Sequence, residues 1–111
     1  MDIIETSVGG AVAWQAGDVL CRVALSRPAG AAATMYGCTA TATAIDIHGE
    51  PLLGANGRAV SGSHTSAVPK ADLVANPAAV AASVADDARR QAISALLTEL
   101  AVQAANAEVG I

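Results

Sequence analysis

The sequence has very few bulky aromatic side chains and few charges. Among its 111 residues there is no phenylalanine, one tryptophan and one tyrosine, and charged residues make up 14%. Alanine, with 28 residues, supplies about half of the hydrophobic class, which is 53% of the chain. A chain of this length forms one domain, and a core of small side chains buries little area per residue. We therefore expect a single domain that gains part of its stability from partners.

The missing features also disfavour several classes of protein. Six basic residues against ten acidic ones give a net charge of −4, so no basic surface for nucleic acid or anionic lipid is expected. No apolar run reaches the roughly 18 residues that span a bilayer, and the first residues lack the pattern of a secretion signal. These features predict no nucleic-acid partner, no membrane insertion and an intracellular origin.

The first two thirds of the chain predict antiparallel strands, over about residues 11–68. Turn residues recur at short intervals, and residues 19–26 alternate as a half-buried strand does. Residues 35–47 form the most regular pattern, with Thr39, Thr41 and Thr43 on one face and alanines on the other. This segment exceeds the usual strand length, so we expect it to bend across two sheets or to project as a hairpin arm.

A second hairpin is predicted over residues 52–68. Asn56 and Gly57 tolerate the positive φ angles of a type I′ turn, which would join its two strands. Within the returning segment, residues 58–68, the stretch 61–66 is small and polar. It predicts an edge strand or an ordered extended arm.

The last third of the chain predicts one long helix, over about residues 77–107. Asn76 suits an N-cap, Pro77 suits the first helical position, and Gly110 is placed to end the helix. A helical projection puts one stripe of apolar residues on the buried face: Ala78, Ala82, Ile93, Leu96, Leu97, Leu100, Ala104 and Ala107. The three valines Val80, Val84 and Val102 fall nearly opposite this stripe, which predicts a helix sandwiched between two surfaces.

These elements define an α+β fold in one domain. Residues 1–70 form its β-rich part, with an extended arm as one alternative, and residues 71–111 form a linker and the helix. A helix of about 30 residues would span about 45 Å, longer than a domain of this size requires. We therefore expect the helix to contact another subunit.

No arrangement of residues predicts catalysis, a cofactor or a metal ion. His48 lies beside a predicted turn between Asp46 and Glu50, and His64 lies in a polar strand, and neither follows a nucleophile motif. Turns are rich in such polar residues for local hydrogen bonding. The alternative hypothesis is a small enzyme or ligand-binding domain whose site forms between subunits around His48 and His64.

The two cysteines, Cys21 and Cys38, are too few and too widely spaced for the common zinc patterns. Buried thiols and a disulfide both remain open.

The order of elements resembles small structural proteins of tailed bacteriophage virions. The resemblance lies in the Thr/Ala alternation of residues 39–47, the turn region of residues 52–60, and the terminal Ala/Leu helix that contains Asp86-Asp87-Ala88-Arg89-Arg90. It implies a repeated, non-enzymatic subunit of a head, neck, tail or baseplate, assembled in the host cytoplasm. It assigns no functional residue.

We therefore expect a non-enzymatic structural subunit of a larger symmetric assembly, whose partners are copies of itself or other structural subunits. Two contacts would hold the assembly together: burial of the leucine stripe, which is Ile93, Leu96, Leu97 and Leu100, and edge pairing by residues 35–47 or 58–68. Trp14 fits either a core anchor or an interface residue. The candidate interface residues are Trp14, Thr39, Thr41, Thr43, Ile93, Leu96, Leu97 and Leu100.

Overall fold

The fold is a five-stranded antiparallel sheet followed by a short and a long helix. The computed structural model describes residues 2–28 and 34–109, with side chains as far as residue 106 in the last helix. The predicted α+β class, with its antiparallel sheet and long C-terminal helix, is confirmed. The elements are β1 (Ile3–Val8), β2 (Ala11–Ala16), β3 (Val19–Ser26), β4 (Met35–Ile45), β5 (Ser61–Pro69), α1 (Lys70–Ala75) and α2 (Pro77–Val109).

The strands follow one another in space in the order of the sequence, from β1 at one edge to β5 at the other. Strand β1 was not predicted, because its apolar residues stand side by side at one end and do not alternate. It pairs with β2 through a two-residue turn at Gly9 and Gly10, where φ is +60° and +80°. Two consecutive positive φ angles are the requirement of a type I′ turn, which glycine meets without strain.

Strand β4 lies inside the sheet, paired with β3 on one side and with β5 on the other. The expectation that residues 35–47 form an arm or a free edge is therefore wrong. The strand ends at Ile45, and Ile47 lies in the following turn with 76% of its surface exposed. Strand β5 pairs with residues 35–43 of β4 and β3 pairs with residues 39–45, so the middle of the long strand is bonded on both sides within the chain.

The returning segment forms the edge strand β5, which confirms one of its two alternatives. The turn before it differs from the prediction. Gly57 has a φ of +76° and its amide donates to the Gly54 carbonyl at 2.9 Å, whereas no non-glycine residue in the described ranges has a positive φ. Asn56 instead accepts a hydrogen bond from the Arg58 amide at 3.0 Å. A type I′ turn is thus excluded there, because it needs a positive φ at both central residues.

Helix α2 begins at Pro77 as predicted, and α1 occupies most of the expected linker. The predicted helix end at Gly110 and the side chain of Ala107 lie outside the described residues. Helix α2 packs on β4 and β5, with minor contact to β3, and covers one face of the sheet. The main core joins the two layers: Ala16, Cys21, Ala40, Ala42, Ala44, Val60, Ala88, Ala92, Ile93 and Leu96.

The buried face of α2 differs from the predicted stripe in its N-terminal half. Val84 is buried and Val80 is half-buried, whereas Ala78 and Ala82 are exposed, as is Ala104 near the other end. The contact line follows an i to i+4 row, from Val84 through Leu96. Such rows are inclined by about 26° to the helix axis, so a projection that assumes one fixed face fails over the about nine turns of a 33-residue helix. The idea of a helix sandwiched between two surfaces is therefore wrong for Val84, which lies in the core.

Gly62 allows the helix to approach the sheet closely. A Cβ atom at this position would lie 2.7 Å from the Ala95 carbonyl carbon and 2.8 Å from the Ala92 carbonyl oxygen, and closer still to the Leu96 amide nitrogen. All three are backbone atoms of α2, which cannot rotate away as a side chain could. The two layers therefore meet at van der Waals contact only because residue 62 has no side chain.

We expect Gly62→Ala to lower the free energy of unfolding by about 1 to 3 kcal/mol, the usual cost of inserting a methyl group into a filled core. Urea denaturation followed by circular dichroism measures this change. Ser63→Ala is the matched control, because Ser63 is the next residue of β5 and is exposed. Equal stability of the two variants would contradict the close approach.

Candidate functional site

The structure places two of the predicted interface residues inside the chain's own core. Ile93 and Leu96 have no exposed surface and pack against the helix-covered face of the sheet. They cannot contact a partner while the chain is folded, so their assignment to an interface is wrong. Leu97 and Leu100 are half-buried against the same cluster. The stripe is thus a real buried face, but the chain's own sheet covers it.

Trp14 lies at the border of the helix-covered region. It is half-buried, it packs against the main core, and the Arg89 guanidinium carbon lies 4.4 Å from the centre of its ring. Arg89 also pairs with Asp86, with 3.0 Å between nitrogen and oxygen. A guanidinium over an indole face is an attractive cation–π contact. Trp14 therefore anchors the rim of the core beneath α2.

The three predicted threonines lie on the open face of the sheet, opposite α2. Thr39, Thr41 and Thr43 are half-exposed, and they alternate with the buried alanines of β4. The register places Thr65, Ser63 and Ser61 of β5 beside them, and the Thr39 and Thr65 hydroxyl oxygens are 2.7 Å apart. We call these six residues, together with Ala24 and Ser26 of β3, the hydroxyl face.

The hydroxyl face carries no charged side chain. Strands β4 and β5 contain no Asp, Glu, Lys or Arg. Arg22 of β3 lies beside Thr43 on the same side of the sheet, at the border of the hydroxyl face. Its guanidinium donates to the carbonyls of Val8 and Val12 at 3.1 and 3.3 Å, so the charged end extends towards the β1–β2 hairpin. Lys, Glu, Arg and Asp are the residues that proteins most often leave in water. Their absence distinguishes this face from an ordinary solvated one.

The two histidines do not come together within the chain. His64 pairs with Ala40 in the middle of β4, whereas His48 lies in the turn after β4, about six strand positions or about 20 Å further along. The Asp46 carboxylate accepts hydrogen bonds from the backbone amides of Glu50 and His48, at 3.0 and 2.8 Å, and the Glu50 bond is the largest influence that lowers its pKa. Asp46 therefore orders this turn.

A shallow cleft separates β5 from the N-terminal half of α2. Its volume is 330 Å³ and it includes His64, Ser66, Ser83 and Asp87 in its lining. The Ser66 hydroxyl donates to the Asp87 carboxylate, with 2.5 Å between the two oxygens. That bond occupies the serine, so the histidine does not activate it as a nucleophile. The pair instead joins the edge strand to the helix.

A second concavity, of 390 Å³, lies beside Tyr36, where the Arg27 guanidinium carbon is 4.9 Å from the ring centre.

Within residues 2–28 and 34–109, no three His, Cys, Asp or Glu side chains lie close enough to hold a metal ion. Over the same ranges, no helix is both long and apolar enough to span a membrane.

Both cysteines are free thiols, and the sheet register keeps them apart. Cys21 pairs with Ala44, whereas Cys38 lies six positions away from Ala44 along β4, about 20 Å. A disulfide needs Cα atoms within about 7 Å, so an intrachain bond is excluded. Burial raises the pKa of the Cys21 thiol to about 11.

Comparison with known proteins yields no match to this chain among family models, curated proteins or solved structures.

We expect Ser66→Ala to lower the free energy of unfolding by about 1 to 2 kcal/mol, because it removes a hydrogen bond to a carboxylate from a buried position. Chemical denaturation measures the change. The control is again Ser63→Ala, which removes an exposed hydroxyl from the same strand. If Ser66→Ala were as stable as this control, the bond to Asp87 would not hold β5 to α2.

We expect one thiol to react quickly with an aromatic disulfide reagent in the folded chain at pH 8. Cys38 is half-exposed, whereas Cys21 is buried and its raised pKa disfavours the reactive thiolate. Absorbance titration should give one fast thiol in buffer and two in denaturant. Cys38→Ser should abolish the fast phase. Two fast thiols in the native chain would contradict this arrangement.

Proposed function

We propose that this protein is a non-enzymatic structural subunit that joins a larger symmetric assembly. The observation that carries the proposal is the hydroxyl face, eight uncharged residues on the side of the sheet opposite α2, where no described helix packs. The cores of protein–protein interfaces are depleted in charged residues. Exposed antiparallel faces usually carry polar and charged side chains instead.

The short side chains of this face and their chemistry suit repeated contacts. Its side chains are short, so packing against a neighbour orders few rotatable bonds. Each hydroxyl can donate as well as accept a hydrogen bond, so the surface is self-complementary without opposite charges. Thr39, Thr41 and Thr43 thus remain interface candidates, whereas the buried leucine stripe does not.

Within this class, we propose a component of a tailed-phage virion, in the head, neck, tail or baseplate. The proposal rests on the order of the elements and on the small size of a subunit that leaves a broad surface uncovered. In such particles a subunit contacts copies of itself and other structural proteins. The particle would be assembled in the cytoplasm of the host cell.

We expect the purified chain to have a molar mass that is a multiple of 10.9 kDa at micromolar concentrations, measured by light scattering after size exclusion. Thr41→Lys should shift this mass towards the monomer, because it places a charge at the centre of the hydroxyl face. Thr98→Lys is the control, because Thr98 is an exposed threonine of α2.

Electron microscopy of the assembled sample would then give its symmetry. A monomer at every concentration, with a normal fold, would contradict the proposed function. An oligomer that tolerates Thr41→Lys as well as Thr98→Lys would show that the hydroxyl face is not the contact.

A further inference from the structure

The outer edge of β1 is a second unoccupied feature of the sheet. Among the described residues β1 pairs with β2 alone, in an unbroken register from Ile3 opposite Ala16 to Val8 opposite Ala11. It has no bulge, proline or lysine, three of the devices that usually prevent an edge from pairing with another chain, and its one charge is Glu5. An edge without them offers a row of free backbone groups to another strand.

The turn that joins β1 to β2 determines which backbone groups point outward. A two-residue loop closes on a hydrogen-bonded pair, here Val8 with Ala11. Hydrogen-bonded pairs alternate along an antiparallel ladder, so Val8, Thr6 and Ile4 direct their amides and carbonyls towards β2. The amides and carbonyls of Ile3, Glu5 and Ser7 therefore point away from the sheet.

We infer that β1 pairs antiparallel with β1 of a second copy, about a two-fold axis that passes beside Thr6. This inference rests on the proposed function and specifies one of its contacts. Equivalent edges that meet on a two-fold axis form a closed contact, in which each residue pair occurs twice. The partner is a second copy because the free edge matches itself in length and in hydrogen-bonding pattern.

The choice of axis follows from the side chains. Residues that stand directly opposite each other in two antiparallel strands lie on the same face of the joined sheet. The two-fold axis must therefore pass between one residue and its own copy, and not between two neighbouring residues of the strand. An axis at Glu5 would set two carboxylates directly opposite each other, and like charges in that position are destabilising. An axis at Ile4 would pair only residues 3–5 of the strand with their copies, whereas an axis at Thr6 pairs residues 4–8.

An axis at Thr6 avoids both problems. It places Ile4 opposite Val8 on one face and Glu5 opposite Ser7 on the other. Ile4 is 60% exposed in the single chain, whereas Val8 belongs to a small core cluster with Ala13 and Ile45. Pairing therefore extends an existing apolar cluster over Ile4, and the outward groups of Glu5 and Ser7 satisfy each other.

The helices leave room for this contact. Helix α2 packs on β4 and β5, three to four strands away from the β1 edge, and neighbouring strands are about 4.8 Å apart. An axis normal to the sheet places both helices on the same face of a ten-stranded sheet.

A cysteine scan of β1 tests the register. At a two-fold axis the Thr6 pair is a non-hydrogen-bonded pair, whose Cα atoms are about 4.5 Å apart, within the range of a disulfide. Each cysteine variant is made in a Cys38→Ala background and equilibrated in a glutathione redox buffer. The amount of disulfide-linked dimer should be at least about tenfold greater for Thr6→Cys than for Glu5→Cys or Ser7→Cys. Non-reducing electrophoresis measures the dimer, and circular dichroism checks each fold.

The outcomes separate this inference from the proposed function. If the unmodified chain is an oligomer and Thr6→Cys forms no more dimer than Ser7→Cys, the β1 contact is wrong while the proposed function stands. If Glu5→Cys is the best cross-linker, the axis is misplaced and the inference fails. If the unmodified chain is a monomer throughout, the proposed function fails and this contact fails with it.

A noncovalent measurement complements the scan. Ile4→Lys should raise the dissociation constant in sedimentation equilibrium by at least about tenfold, because each dimer would set two lysines against Val8. Val74→Lys is the matched control, since Val74 is 80% exposed on α1 and far from β1 in the chain. Equal dissociation constants for the two variants would overturn the inference.

Discussion

The close contact between α2 and the sheet is the constraint on which the rest of the structure depends. Alanine and glycine form most of the sheet's side of this contact, with Gly62 directly beneath the helix backbone, and α2 contributes Ala88 and Ala92. Small side chains lose almost no conformational entropy on burial, and close approach gives many dispersion contacts between backbone atoms. The chain thus builds a core almost without aromatic residues by bringing its layers together, with Ile93 and Leu96 filling the remaining space.

This arrangement decides which surfaces are left for other molecules. The fully buried apolar side chains of α2, Ile93 and Leu96, pack against the chain's own sheet, so a partner cannot contact them. Among the described residues, the hydroxyl face and the backbone edge of β1 are open to a partner. The charged residues near the core have local roles, since Arg89 pairs with Asp86 and covers Trp14, and Asp87 accepts from Ser66. Charge therefore stabilises the fold at the rim of the core, and the eight residues of the hydroxyl face carry none.

Elements with a strong local signal could be predicted from the sequence, and contacts between distant segments could not. The Thr/Ala alternation of β4 and the start of α2 at Pro77 are local, and both are confirmed. Strand β1 escaped prediction because Ile3 and Ile4 are adjacent and the following residues are mostly polar. Its strand conformation comes from pairing with β2. The contacts of Ser66 with Asp87 and of Arg89 with Trp14 depend on how α2 crosses the sheet, which no local pattern encodes.

The two open features reinforce each other geometrically. Sheet extension at β1 about an axis normal to the sheet keeps both copies of α2 on one side and both hydroxyl faces on the other. The joined sheet would then present twice the uncharged area on a single surface, while its new edges would be the two β5 strands beneath α2. A second contact could form by face-to-face packing, at about the 10 Å spacing of stacked sheets. A subunit with one self-complementary edge and one uncharged face can thus form contacts in two directions, which is what a repeated lattice or ring requires.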